Sequence, residues 1–111
     1  MRFGKQVPAV EATAVPADGY LLDVREIDEW QAGHAPDAVH IPLGELGGRV
    51  AEVPRDRDVY VICRSGARSG QAVRAFNGAG FAAMNVAGGM QAWAAADKPM
   101  ISETGTDPYV A

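Results

Sequence analysis

The 111 residues hold one cysteine, Cys63. An internal disulfide and a cysteine-based metal cluster are thereby excluded. No resolving thiol exists in the chain either, so a covalent intermediate on Cys63 must be discharged by another molecule. Histidine is scarce: His34 and His40 have no cysteine or carboxylate at ligand spacing, which implies no metal site. Lysine is scarcer than arginine, with eight of the ten basic residues being Arg. The net charge of −4 argues against wrapping nucleic acid electrostatically. No run approaches the roughly 20 apolar residues that span a bilayer. Met1 to Val10 has neither a signal-peptide apolar core nor a small-residue cleavage pattern. These absences lead to the expectation of a cytoplasmic protein, the compartment in which a free thiol survives, with no membrane or nucleic-acid partner, no metal and no cofactor.

What is present suffices for one domain. A 48% hydrophobic content over this length can bury a core without staples. The reading is a single domain over residues 1–111, with its core at about 7–97 and a polar, Pro-punctuated tail at 98–111 that is expected to be loosely held. Val7 to Val10 reads as a strand confined to an edge by Pro8. Tyr20 to Val24 is a strand after the Asp18-Gly19 turn signal. Glu26 to Ala32 reads as a short helix burying Ile27 and Trp30 and stopped at Gly33. Ala38 to Ile41 is a candidate strand, and Leu43 to Val53 a helical spacing weakened by Gly47-Gly48. Val59 to Ile62 is the central strand. Gln71 to Asn77 reads as a helix with Ala72, Ala75, Phe76 and Ala79 in one stripe, ended by Gly78 and Gly80. Ala82 to Val86 is a further strand, and Met90 to Ala96 a further helix. Strands alternating with short helices imply an α/β sandwich with a mostly parallel sheet, in which ligands bind beyond the carboxyl ends of strands.

Cys63 stands at such a strand end. Arg64-Ser65-Gly66-Ala67-Arg68-Ser69 follows it and leads into a helix. Inward-pointing N–H groups of a tight turn, a helix start and two nearby guanidinium groups all favour a thiolate over a thiol. Gly66 lets the backbone turn where a side chain would crowd the concavity. Ser65 and Ser69 can donate to a bound anion or cap the helix. Arg64 and Arg68 offer planar forks matched to oxyanions such as thiosulfate, sulfonate or phosphate. Cys63 is read as a reactive nucleophile, with residues 64–69 as the substrate cradle.

Several stretches together resemble a known family. Leu21-Leu22-Asp23-Val24-Arg25-Glu26, Glu29-Trp30, Gly33-His34, Pro36 and Ile41-Pro42 are similar to the first half of a rhodanese domain. Cys63 to Ser69 resembles its active loop, and Gly88-Gly89-Met90-Gln91-Ala92-Trp93 its closing helix motif. The resemblance implies a three-layer α/β/α fold with a central five-stranded sheet. It further implies a sulfurtransferase of the thiosulfate type, in which Cys63 takes a sulfane sulfur from thiosulfate or polysulfide. The resulting persulfide passes its sulfur to cyanide or a thiol, with a thioredoxin-like or sulfur-trafficking protein as a macromolecular partner. Ala35, Asp37 and His40 depart from the family's usual residues, all outside the sulfur loop.

Loop length separates the candidate chemistries. Four residues stand between Cys63 and Arg68, which fits the sulfurtransferases; related phosphatases carry one more. Ile62 stands where tyrosine phosphatases have a histidine. Arsenate reduction and a persulfide carrier or binding module are the competing readings beside phosphatase activity. Outside the loop, Asp23 and Arg25 are read as structural, His34 as a turn residue bonding the backbone, His40 as a strand-face residue, and Trp30 and Trp93 as core aromatics.

Overall fold

Five short apolar runs become strands in the computed structural model, which describes residues 7–111. The first six positions of the Met1–Val10 stretch lie outside the described residues. The strands are β1 (Ala9–Glu11), β2 (Tyr20–Asp23), β3 (Val39–His40), β4 (Asp58–Ile62) and β5 (Ala82–Ala87). Every pair is parallel, and the order across the sheet is β1-β5-β4-β2-β3. The register sets Asp23 beside Ile62, and Val61 beside Asn85. The carboxyl ends of β2 and β4 therefore finish side by side, with Cys63 one residue past the rim.

The period-2 alternation of strand side chains sorts the core into two layers. Leu22, Val59, Val61 and Cys63 face one side, where they pack with Ala72, Val73, Phe76 and Phe81. Leu21, Tyr60, Ile62 and Val86 face the other, against Ala12, Val15, Met90 and Trp93. Among the described residues four helices cover the sheet: α1 (Ile27–Ala32), α2 (Leu46–Arg49, between short 3-10 turns), α3 (Ala67–Gly78) and α4 (Gly89–Ala95). This is the α/β sandwich that the sequence pattern implied, with the five-stranded sheet that the family resemblance implied. Cys63 belongs to the layer of α3, the helix that its own loop begins.

Three differences from the sequence reading have physical causes. Ile27 is 54% exposed rather than buried. Helix α1 is too short to bury a stripe, and is secured by a reciprocal capping box between Glu26 and Glu29. Trp30 is half-buried and lies between imidazoles, its ring stacked at 3.5 Å on His34 and 4.7 Å on His40. Helix α3 begins at Ala67, four residues before Gln71, because Gly66 at φ 114° turns the chain directly into it. Ser69 and Gly70 are poor helix formers by propensity, but both are buried at its first turn.

The tail is not loose. His34 and Ile101 exchange backbone hydrogen bonds of 2.9 Å each, Glu103 N–H donates to the Gln31 carbonyl, and Tyr109 N–H to the Ala32 carbonyl. Met100 and Val110 pack on the Trp93 layer, and Trp93 Nε1 donates to the Pro99 carbonyl at 2.9 Å. The polar composition of the tail concealed these backbone pairings.

Asp23 and Arg25 are fully buried. The Arg25 guanidinium donates to both carboxylate oxygens of Asp23 at 2.8 to 3.1 Å, and to the Gly33 carbonyl. The pair braces the end of β2 against the turn after α1, the structural part expected of it. His34 bonds backbone as expected and also meets Glu103 Oε2 at 2.8 Å, while His40 Nε2 donates to the Arg25 carbonyl. No helix among the described residues is long and apolar enough to cross a membrane.

Candidate active site

The loop from Cys63 to Ser69 is held from below by α4. Met90 N–H donates to the Cys63 carbonyl at 2.8 Å, and Gln91 N–H to the Arg64 carbonyl at 3.0 Å. These are first-turn N–H groups of α4, which have no partner within their own helix. The approach requires Gly89: a Cβ there would run into the carbonyl oxygens of Cys63 and Arg64, and its φ is 56°. The Gly88-Gly89-Met90-Gln91 stretch thus serves as the floor of the loop.

Cys63 itself is recessed, with 1% of its surface exposed, whereas Arg64, Ser65 and Ala67 around it are open to solvent. Its Sγ accepts the Gly66 N–H at 3.1 Å and lies 3.2 Å from Ser69 Oγ. Burial pushes the thiol up, but hydrogen bonding that favours the thiolate, from the Ser69 hydroxyl and from the backbone of Ser69, Gly66 and Ser65, outweighs it. The net result is a Cys63 more acidic than an ordinary thiol.

The two arginines are both engaged. Arg68 makes a two-pronged ion pair with Glu29 at 2.7 and 2.9 Å, tying the first turn of α3 to α1. Hydrogen bonding to Arg68 holds the Glu29 carboxyl down at about 2 against the opposing effect of its burial. The same pair raises Arg68. Arg64 is exposed, and its Nε donates to the Ala111 carbonyl at 3.0 Å. Of the expected loop residues, Ser65, Gly66 and Ser69 reach the sulfur through backbone N–H groups and a hydroxyl, whereas both guanidinium groups are bonded elsewhere.

Two residues of the site escaped the sequence reading. Asn85 lies beneath the loop on β5, with Oδ1 2.6 Å from Ser69 Oγ and Nδ2 3.0 Å from the Gly66 carbonyl. Its signal was present: it is the only side chain with a hydrogen-bonding amide in the apolar run Ala82 to Ala87. Glu29 stands in the sequence reading within a helix and in the Glu29-Trp30 stretch of the family resemblance, with no part at the loop; no local pattern points to Arg68, 39 residues away.

A rhodanese-like domain family matches residues 9–96 of the chain. The chain belongs to the rhodanese-like family. Among relatives, an Allochromatium vinosum sulfurtransferase is 39% identical over 89 residues, covering 79% of this chain and 83% of that protein. A Bacillus subtilis protein named as a candidate sulfur carrier is 46% identical over 74 residues, but this rhodanese-like chain spans only 40% of its length. Among solved structures, a rhodanese-related protein from Thermoplasma volcanium superposes with a TM-score of 0.80 at 30% identity, covering 85% of this chain and 97% of that one. The family and the names of these relatives support sulfur transfer as the general activity of the rhodanese-like chain.

Proposed function

We propose that the protein moves a sulfane sulfur from a donor such as thiosulfate or polysulfide to cyanide or a thiol through a persulfide on Cys63. The observation that carries the reading is the recessed Cys63 Sγ with the Gly66 N–H aimed at it and a further hydroxyl in reach. In the first half-reaction the thiolate attacks the outer sulfur of thiosulfate. A Cys63 Sγ–S bond forms, the sulfur–sulfur bond of the donor breaks, and its electron pair leaves with sulfite. No proton need move. In the second half-reaction the acceptor attacks the outer sulfur, and the electron pair of the Sγ–S bond returns to Cys63. A recessed thiol suits this chemistry, because only a terminal atom of the donor has to reach it.

Within this reading the amides of residues 64–69 cradle the transferred sulfur, Arg64 at the rim attracts anionic donors, and Arg68 supplies positive field while braced by Glu29. The protein acts as a cytoplasmic sulfurtransferase with no cofactor or metal, and a thioredoxin-like or sulfur-trafficking protein is a fitting natural acceptor. The second reading is a sulfur carrier that accepts sulfur from polysulfide or a desulfurase; the two-pronged pairing of Arg68 with Glu29 favours it over free thiosulfate binding. Thiocyanate production from thiosulfate and cyanide tests the first reading. Saturable turnover that is abolished by Cys63→Ala supports it. Failure to saturate with thiosulfate, alongside rapid sulfur loading from polysulfide, supports the carrier. Loading from neither donor removes both.

A further inference from the structure

Asn85 can be oriented from its surroundings alone. A carbonyl oxygen only accepts, so the side-chain atom 3.0 Å from the Gly66 carbonyl must be the Asn85 nitrogen. The oxygen Oδ1 then faces Ser69 Oγ at 2.6 Å, and since Oδ1 also only accepts, the hydroxyl must donate its one proton there. That proton is no longer available to Cys63 Sγ, 3.2 Å from the same Oγ. With its lone pairs turned to the sulfur, Ser69 can accept from the Cys63 S–H. The four bonds close a circuit: Gly66 N–H to Sγ, S–H to Oγ, O–H to Oδ1, and Nδ2–H back to the Gly66 carbonyl.

We propose that Asn85 is a positioning residue that competes with Cys63 for the Ser69 proton, so that the hydroxyl turns with the charge state of the sulfur. In the thiol it points to Asn85. When Cys63 ionises, Sγ becomes the stronger acceptor and the hydroxyl swings to it, breaking its bond to Asn85. When the sulfur forms a new S–S bond, the negative charge leaves Sγ for the outer atom and the hydroxyl returns to Asn85. No proton leaves Ser69 at any stage. Asn85 thereby holds the thiol less acidic than the loop amides and Ser69 would otherwise make it. It is well placed for this, because its own backbone is fixed within the sheet by pairing with Val61 and by the Asn85 N–H to Pro8 carbonyl bond of 2.8 Å. The step in which the hydroxyl returns rests on the persulfide reading; the competition itself does not.

The test is the pH dependence of Cys63 alkylation by iodoacetamide in four proteins: wild type, Asn85→Leu, Ser69→Ala and the double variant. The charged groups around the loop, Arg64, Arg68 and the Glu29 and Glu26 carboxylates that face Arg68, are unchanged in all four. Any effect of lost polarity at position 85 is also common to both backgrounds. Removing Asn85 is expected to shift the midpoint lower by roughly one pH unit with Ser69 present than in the Ser69→Ala background. Equal shifts in the two backgrounds would overturn the competition and leave Asn85 a structural residue. A second measurement needs no substitution at Asn85. The chain has one cysteine, so below the midpoint its infrared S–H stretch is a single band. That band is expected at lower wavenumber in wild type than in Ser69→Ala, and coincident bands would overturn the circuit. Neither readout requires sulfur transfer, so failure of the proposed activity and failure of the circuit are separable.

Discussion

Replacing Gly89 by alanine would drive a methyl group against the carbonyls that close the Cys63 loop. The Cβ would overlap the Cys63 carbonyl oxygen and lie 2.6 Å from that of Arg64, both backbone atoms with little room to yield. The residue would also have to sit at φ 56°, which costs an L-amino acid about 1 kcal/mol. Relief requires α4 to withdraw, which breaks the Met90 to Cys63 and Gln91 to Arg64 bonds, each worth about 1 kcal/mol net. The sum is about 3 kcal/mol, or a fall in melting temperature of roughly 10–20 °C for a domain of this size. Gly47→Ala is the matched control. It lies in exposed α2 with no atom within 4 Å of its would-be Cβ, and should stabilise by about 0.5–1 kcal/mol. Thermal unfolding by circular dichroism reads both, and the rate of Cys63 alkylation at pH 7 reports the loop. A Gly89→Ala protein that melts with wild type and alkylates at the same rate would refute the account of α4 as the floor of the loop.

Three other outcomes follow from the geometry. Asp23→Asn leaves Arg25 charged and fully buried without its counter-ion, so a loss of about 3–5 kcal/mol is expected in urea unfolding. Glu29→Gln removes the carboxylate that grips Arg68. Because Glu29 titrates near 2 when folded against an ordinary 4.5, its contribution is complete above pH 4.5 and is lost as the pH falls through 2. The variant should therefore be less stable than wild type by about 1 kcal/mol at pH 7, a modest figure because Arg68 is one-third exposed, and equal to it below pH 2. Wild-type Cys63 should alkylate with a midpoint below that of an ordinary thiol, since a lowered pKa places more thiolate at neutral pH.

Much of this arrangement was legible in the residues because it is local in sequence. The apolar runs at Tyr20–Val24 and Val59–Ile62 declared strands, Gly66 declared the turn, and the order of elements declared a parallel sheet. The buried part played by Asp23 and Arg25, two residues apart, was also within reach. What escaped depended on contacts between distant segments. Asn85 and Ser69 meet because β5 lies beside β4, and Glu29 meets Arg68 because α1 and α3 begin at the same rim of the sheet. The start of α3 at Ala67 follows from the same cause: tertiary bonds to Ser69 and the Gly66 turn override the weak propensity of Ser69-Gly70. The tail was misjudged because backbone pairing of Ile101, Glu103 and Tyr109 leaves no mark on composition.

The most direct test of the central claim is intact mass spectrometry of the reduced protein before and after thiosulfate or polysulfide, then after cyanide, beside Cys63→Ala. The account expects a gain of one sulfur atom in wild type, its removal by cyanide as thiocyanate, and no gain in the variant. No gain from either donor, or an equal gain in Cys63→Ala, would contradict a persulfide on Cys63.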